Sequence, residues 1–168
     1  MKHFPILMAV AIFVIFSVAC LAMAQETAKQ SNNWLLDAED DTERFKRIQQ
    51  MFGGFSAAMQ VVGDRYERTF EAVIEGNFGL ADYHWKKVRD AIELGFLRRP
   101  GRKANAVALF LEDPWPTLEE ALAAKDGQLS KEALLSARSA CMTCHVAENV
   151  PFINDQPMFR RTVTSPEG

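Results

Sequence analysis

Cysteine is scarce in this 168-residue chain: there are three, and Cys20 falls inside the apolar opening stretch. The other two thiols allow one bridge at most, which excludes a disulfide-stapled scaffold. Histidine is equally scarce, with three, and only His84 and His145 lie beyond the opening stretch. Basic excess is missing too: 19 Lys and Arg stand against 22 Asp and Glu, for a net charge of −3. Without a broad basic field, nucleic acid is not an expected partner. After the opening stretch no run is long and apolar enough to span a bilayer. Strand alternation, internal repeats and low-complexity blocks are also lacking, which leaves a helical chain.

The opening, MKHFPILMAVAIFVIFSVACLAMAQ, has a positive start at Lys2, an apolar run from Phe4 to Val18 and a small-residue site at Ala22-Met23-Ala24. This pattern predicts a secretory signal over residues 1–24. Two alternatives stand beside it. An uncleaved leader would anchor the chain in the membrane, because the run is nearly long enough to cross it. Lipidation at Cys20 is the other, although Ser17 occupies the position where lipoprotein signals carry a leucine-like residue. Cleavage removes Lys2, leaves a slightly more acidic chain without a membrane span, and places it in the periplasm.

Residues 25–40 are expected to be a flexible N-terminal segment. From there Phe45, Ile48, Phe52, Phe55, Met59, Val62, Tyr66, Phe70 and Val73 recur at helical spacing, predicting a packed helix. Asp40 with Glu43 marks its start, Gly53-Gly54 a break or kink, and Gly76 its cap. Phe78, Ala81, Trp85, Val88 and Ile92 form one face of a second helix that ends before Pro100. A third pass, Lys103 to Lys125, is split by Asp113-Pro114-Trp115-Pro116 and expected to restart at a Thr117/Glu120 capping box. A turn at Gly127 and a cap at Ser130 open a fourth helix running to about Ala147. Four passes with short connections predict an all-α, up-and-down antiparallel four-helix bundle with a kinked or split third helix over residues 41–148. Residues 149–168 show no sustained periodicity and are expected to be an irregular tail.

The chemistry concentrates in SACMTCHVAEN, on the last turn of the fourth helix. CxxCH is the attachment sequence of c-type haem. Cys141 and Cys144 would form thioethers to one haem c per chain, and His145 would be the proximal ligand of its iron. Three other readings stand beside this one. A disulfide across so short a loop would stabilise little. A zinc site needs about four ligands, and no second Cys or His pair exists. A redox dithiol needs its first cysteine at a helix N-terminus in an α/β setting, whereas these cysteines come late in a helix.

A single CxxCH on the last turn of the last helix of a four-helix bundle resembles the class II c-type cytochromes, the cytochrome c′ and cytochrome c-556 group. The resemblance covers Phe55 to about Ile153 and is strongest at Cys141, Cys144 and His145. It implies a haem protein of the periplasm that carries electrons to and from a redox partner protein or binds a small gas such as NO or CO. It also implies a tendency to form a homodimer through the helices. The chain departs from the group's pattern in continuing through VAENVPFIN after the histidine and in its split third pass.

In this group the first-helix residue facing the open side of the iron decides coordination, a methionine giving six-coordinate carriers. Counting from the turns at Gly76 and Gly127, Met59 and His145 each lie about eighteen residues away, so at about 1.5 Å per residue they share a level. Met59 is the candidate sixth ligand, core packing its alternative. Gly63 one turn later would leave room beside a porphyrin, and Met51 is the reserve. His84 falls ~15 Å off that level and reads as a polar helix flank at the surface. Arg98 to Lys103, RRPGRK, is a basic helix terminus or a site for haem propionates or a partner. Trp115 and Phe152 would cover a haem edge or simply pack. No distal His/Arg pair can be placed by spacing, so an enzyme such as a peroxidase is not expected; the expected function is electron transport, with five-coordinate gas binding as the alternative.

Overall fold

The computed structural model describes residues 33–161. The expected leader, Cys20 and the end of the tail lie outside the described residues. All regular structure among the described residues is helical: α1 (Asp41–Phe52), α2 (Phe55–Ile74), α3 (Phe78–Arg98), α4 (Lys103–Ala106), α5 (Pro114–Ala123) and α6 (Gly127–Ala147). A 3-10 turn, Pro100–Arg102, precedes α4, a π-helical stretch, Val107–Leu111, follows it, and two 3-10 turns, Pro151–Asp155 and Pro157–Arg160, follow α6.

The chain divides into two units, one ending at Gln49 and the other beginning at Gln50. In the first, residues from the stretch expected to be flexible form a turn, with Asp37 N–H donating to Asn33 O at 2.9 Å. Arg44 Nε donates to Leu35 O at 3.1 Å and Arg47 to Trp34 O, pinning that turn. α1 starts where the sequence places it: Asp40 Oδ1 accepts from Glu43 N–H at 2.8 Å, and Glu43 Oε2 accepts from Glu39 N–H at 2.8 Å. The apolar period runs through α1, yet α1 contains no buried residue.

Within the second unit the break falls at Gly53, whose φ of 68° favours glycine. α2 ends in a Schellman cap, with Gly76 at φ 70°, Asn77 N–H bonding Ala72 O at 2.8 Å and Gly76 N–H bonding Val73 O at 3.1 Å. Asn77 then caps α3 by accepting from Leu80 N–H at 3.1 Å. This turn folds α3 back on α2. The two are in tight contact at Gly95, where an added Cβ would lie 2.8 Å from the Phe55 ring and 3.0 Å from Ala58 Cβ. Gly95→Ala is therefore expected to destabilise the fold by about 1–3 kcal/mol through overpacking. Equilibrium denaturation measures it, and a loss near zero would mean that Phe55 swings aside freely.

The third pass is interrupted as the sequence predicts, but the restart differs. α5 begins at Pro114, in the first turn where its missing N–H does no harm. Thr117 is then inside the helix, and its hydroxyl donates back to Asp113 O at 2.9 Å instead of capping. Trp115 and Trp85 lock α5 to α3, each indole N–H donating to the other residue's backbone carbonyl, at 2.9 and 3.3 Å. α2 also packs on α6, α3 on α5, and α5 on α6. Trp85, Leu118, Leu122, Leu134, Val73 and Val88 are the large side chains fully enclosed at the centre.

Candidate functional site

α6 carries the CxxCH motif, and its two ends fix where the motif falls. At the start Asp126, not Ser130, is the cap: its Oδ1 accepts from Gln128 and Leu129 N–H, both at 2.9 Å. Ser130 consequently lies within the helix and is fully buried. At the end Asn149 adopts a left-handed φ of 61°. Val150 N–H bonds His145 O at 2.9 Å and Asn149 N–H bonds Val146 O at 3.0 Å, a second Schellman reversal. The buried stripe of α6 is Ser130, Ala133, Leu134 and Ala137, so it stops one turn before Cys141.

Cys141 and Cys144 are both free thiols and half-buried. Cys141 packs against the same apolar core as Met59 of α2. Burial, reinforced by the neighbouring Cys144, pushes the Cys141 thiol up to about 12. Burial raises Cys144 as well, with Arg102 pulling the other way. Such protonated thiols lack the depressed pKa of a redox-active dithiol. Tyr66, whose hydroxyl donates to Leu134 O at 2.8 Å, is raised mainly by its own burial, with the charge of Cys141 adding to it.

His145 is held from the segment that follows the motif. Its Nδ1 lies 2.7 Å from Asn154 Oδ1, and Asn154 Nδ2 donates to Met142 O at 3.1 Å. The Phe159 ring stands edge-on to the imidazole, centroids 5.5 Å apart at 89°. Asn154 and Phe159 escaped the sequence reading, which saw no periodicity after residue 148. The available signal was Asn149 followed by Pro151, a helix-stop signature that turns the chain back on the helix it leaves.

The basic connection RRPGRK is partly neutralised within the chain. Arg102 forms a salt bridge with Glu148, and Asn105 Nδ2 donates to Glu148 Oε1 at 2.8 Å, tying the start of α4 to the end of α6. Arg99 donates to Arg98 O at 2.7 Å. Met59 is half-buried, and Met51 is 62% exposed. The space beside Gly63 is bordered by Met158, whose sulfur would lie 3.8 Å from an added Cβ. Trp115 is core, whereas Phe152 is 70% exposed.

His84 is buried, not displayed as a surface flank, and its Nδ1 lies 3.0 Å from Arg65 Nη1. The guanidinium can only donate, so Nδ1 is the acceptor of a neutral ring. Burial first, then Arg65 and Arg68, lower its pKa, with Asp64 opposing. A pKa lower folded than unfolded contributes stability that is present above about 6.5 and lost as pH falls through the folded value. The melting temperature is thus expected to drop between pH 7 and pH 5, and His84→Gln to reduce that drop. Identical pH slopes in the two proteins would contradict this.

Among the described residues no group of three or more His, Cys, Asp or Glu stands close enough to hold a metal ion. No helix among them is long and apolar enough to cross a membrane. No family model, curated protein or solved structure matches the chain.

Proposed function

We propose that the chain is an exported monohaem c-type cytochrome of the class II group, carrying single electrons to and from a partner protein. The observation that carries this reading is the placement of two unpaired thiols and an oriented imidazole within the five positions 141–145 at the end of α6. Cys141 and Cys144 would hold the haem as thioethers, and His145 would bind its iron. The donor set fits: a porphyrin supplies four of the metal's ligands, so one imidazole suffices where a bare ion would need a cluster. When bound, haem supplies a one-electron ferrous/ferric couple.

The chain's own residues serve that role by position. Cys141 comes one turn after the fully buried stripe of α6 has ended, and it and Met59 are both partly buried groups packed against the core, apolar surface that an apolar cofactor could cover. Burial raises both thiols instead of lowering them, the opposite of the shift that a redox-active dithiol needs. The four long passes are read as an up-and-down bundle with its third pass split into α4 with its π-helical extension and α5. Contacts run from α2 to α3, α3 to α5, α5 to α6 and α6 back to α2, which supports that arrangement.

The test is intact mass of the purified protein together with acid-acetone extraction. One haem mass per chain that stays with the protein is expected; haem that leaves freely, or no added mass, overturns the proposal. A second reading is favoured by Met59 packing against apolar neighbours: a five-coordinate protein binding NO or CO, in which the thioether never reaches the iron. Export, the redox partner and homodimer formation belong to the same proposal and rest on the sequence.

A further inference from the structure

Asn154 belongs to neither the CxxCH motif nor any helix of the core, yet it touches the motif twice. We infer that Asn154 is a positioning residue that fixes the His145 tautomer and, through it, the donor strength of the ring toward iron. This rests on the reading of His145 as a haem ligand given above.

The inference follows from which groups are able to donate. Met142 O is a carbonyl and only accepts, so the amide must present Nδ2 to it, as it does at 3.1 Å. That orientation turns Oδ1 toward His145 Nδ1, 2.7 Å away. An amide oxygen also only accepts, so Nδ1 must carry the proton. A neutral ring protonated there has its lone pair on Nε2, the atom left to bind a metal. The second carbonyl thus selects the tautomer from a distance. Met142 lies between the two cysteines, so the same amide ties the intervening turn to the histidine that follows it.

The chain holds Asn154 in place by ordinary local means. The reversal at Asn149, secured by Val150 N–H on His145 O at 2.9 Å, brings the segment back beside α6. Pro151 opens the 3-10 turn Pro151–Asp155 that contains Asn154. The buried Phe159, from the next turn, supports the imidazole on another side. A hydrogen bond from the remote nitrogen of a ligating histidine orients the ring and raises its basicity.

Two substitutions separate positioning from mere packing. Asn154→Asp keeps an acceptor for Nδ1 and adds negative charge, giving the ring more imidazolate character and favouring ferric iron. Asn154→Leu keeps the approximate size and removes the acceptor, making the ring a weaker donor. In protein carrying one haem per chain by intact mass, the reduction potential is expected to fall with Asp and rise with Leu. A purely structural role would move both in one direction. Shifts of the same sign, or none, in variants that retain haem and helicity overturn the inference. Should the unmodified protein carry no haem, the function proposal fails separately, and the tautomer is then read from the ring-nitrogen NMR shifts of His145 at a pH where the ring is neutral. A predominant Nδ1–H form that becomes a tautomer mixture in Asn154→Leu supports the positioning role; an Nε2–H form in the unmodified protein overturns it.

Discussion

Replacing both Cys141 and Cys144 by alanine is expected to reduce covalent haem from one per chain to none and to leave a chain that folds poorly. The two thiols are three positions apart and unpaired, and burial raises the pKa of both, which fits thioether anchors better than a redox dithiol. The folding effect follows from where the core stops. α6 buries Ala137 but not the residues after it, and Phe55, Met59 and Cys141 are only partly covered. A cofactor that covers those groups only in the folded state stabilises it, as a ligand at a thousandfold excess over Kd does by about 4 kcal/mol. Its loss should lower the melting temperature by roughly 10 °C or more. Intact mass and thermal denaturation decide: a double variant as stable as the parent would mean that no cofactor completes the core.

Much of the fold was legible because apolar spacing and backbone chemistry are local. Phe55 to Val73 keep a helical period, Gly53 and Gly76 take left-handed φ values of 68° and 70°, and Pro114 interrupts the third pass. Misreadings arose where two nearby residues could do the same task. Asp126 and Ser130 are both good caps, and only the buried face of α6 shows that Ser130 must be inside. Pro114 and Thr117 can both begin a helix, and the earlier one did. α1 keeps the apolar period of α2, but period alone does not say that a face is covered.

The candidate site was legible as a motif and not as an environment. Cys141, Cys144 and His145 lie within five residues of sequence, so no fold was needed to group them. His84 was misplaced because its partner, Arg65, comes from the preceding helix at 3.0 Å, and no pattern within one helix reports a contact across two. Asn154 was missed because its contact with His145 depends on a chain reversal at Asn149. Relating those two residues requires the backbone path between them.

If the chain carries haem as proposed, Met59 decides between carrier and gas binder, and Met59→Leu is the experiment that moves the most. If the thioether binds iron opposite His145, the resting protein is six-coordinate and low-spin and shows the far-red sulfur-to-ferric-iron band. Its reduction potential is also raised, because a soft thioether favours ferrous iron. Leucine nearly conserves volume, so at this half-buried position it should cost under about 1.5 kcal/mol. It has no donor atom, so the band should vanish, the iron become high-spin, and CO bind without first displacing a ligand. The ferric and ferrous spectra of both proteins, with and without CO, provide the measurement. Met59 is already packed against apolar neighbours, and a methionine in that setting needs no metal to explain it. If the unmodified protein is high-spin, lacks the far-red band and takes up CO as readily as Met59→Leu, the side chain is packing alone. Gas binding then displaces electron transfer as the better reading of the same haem site.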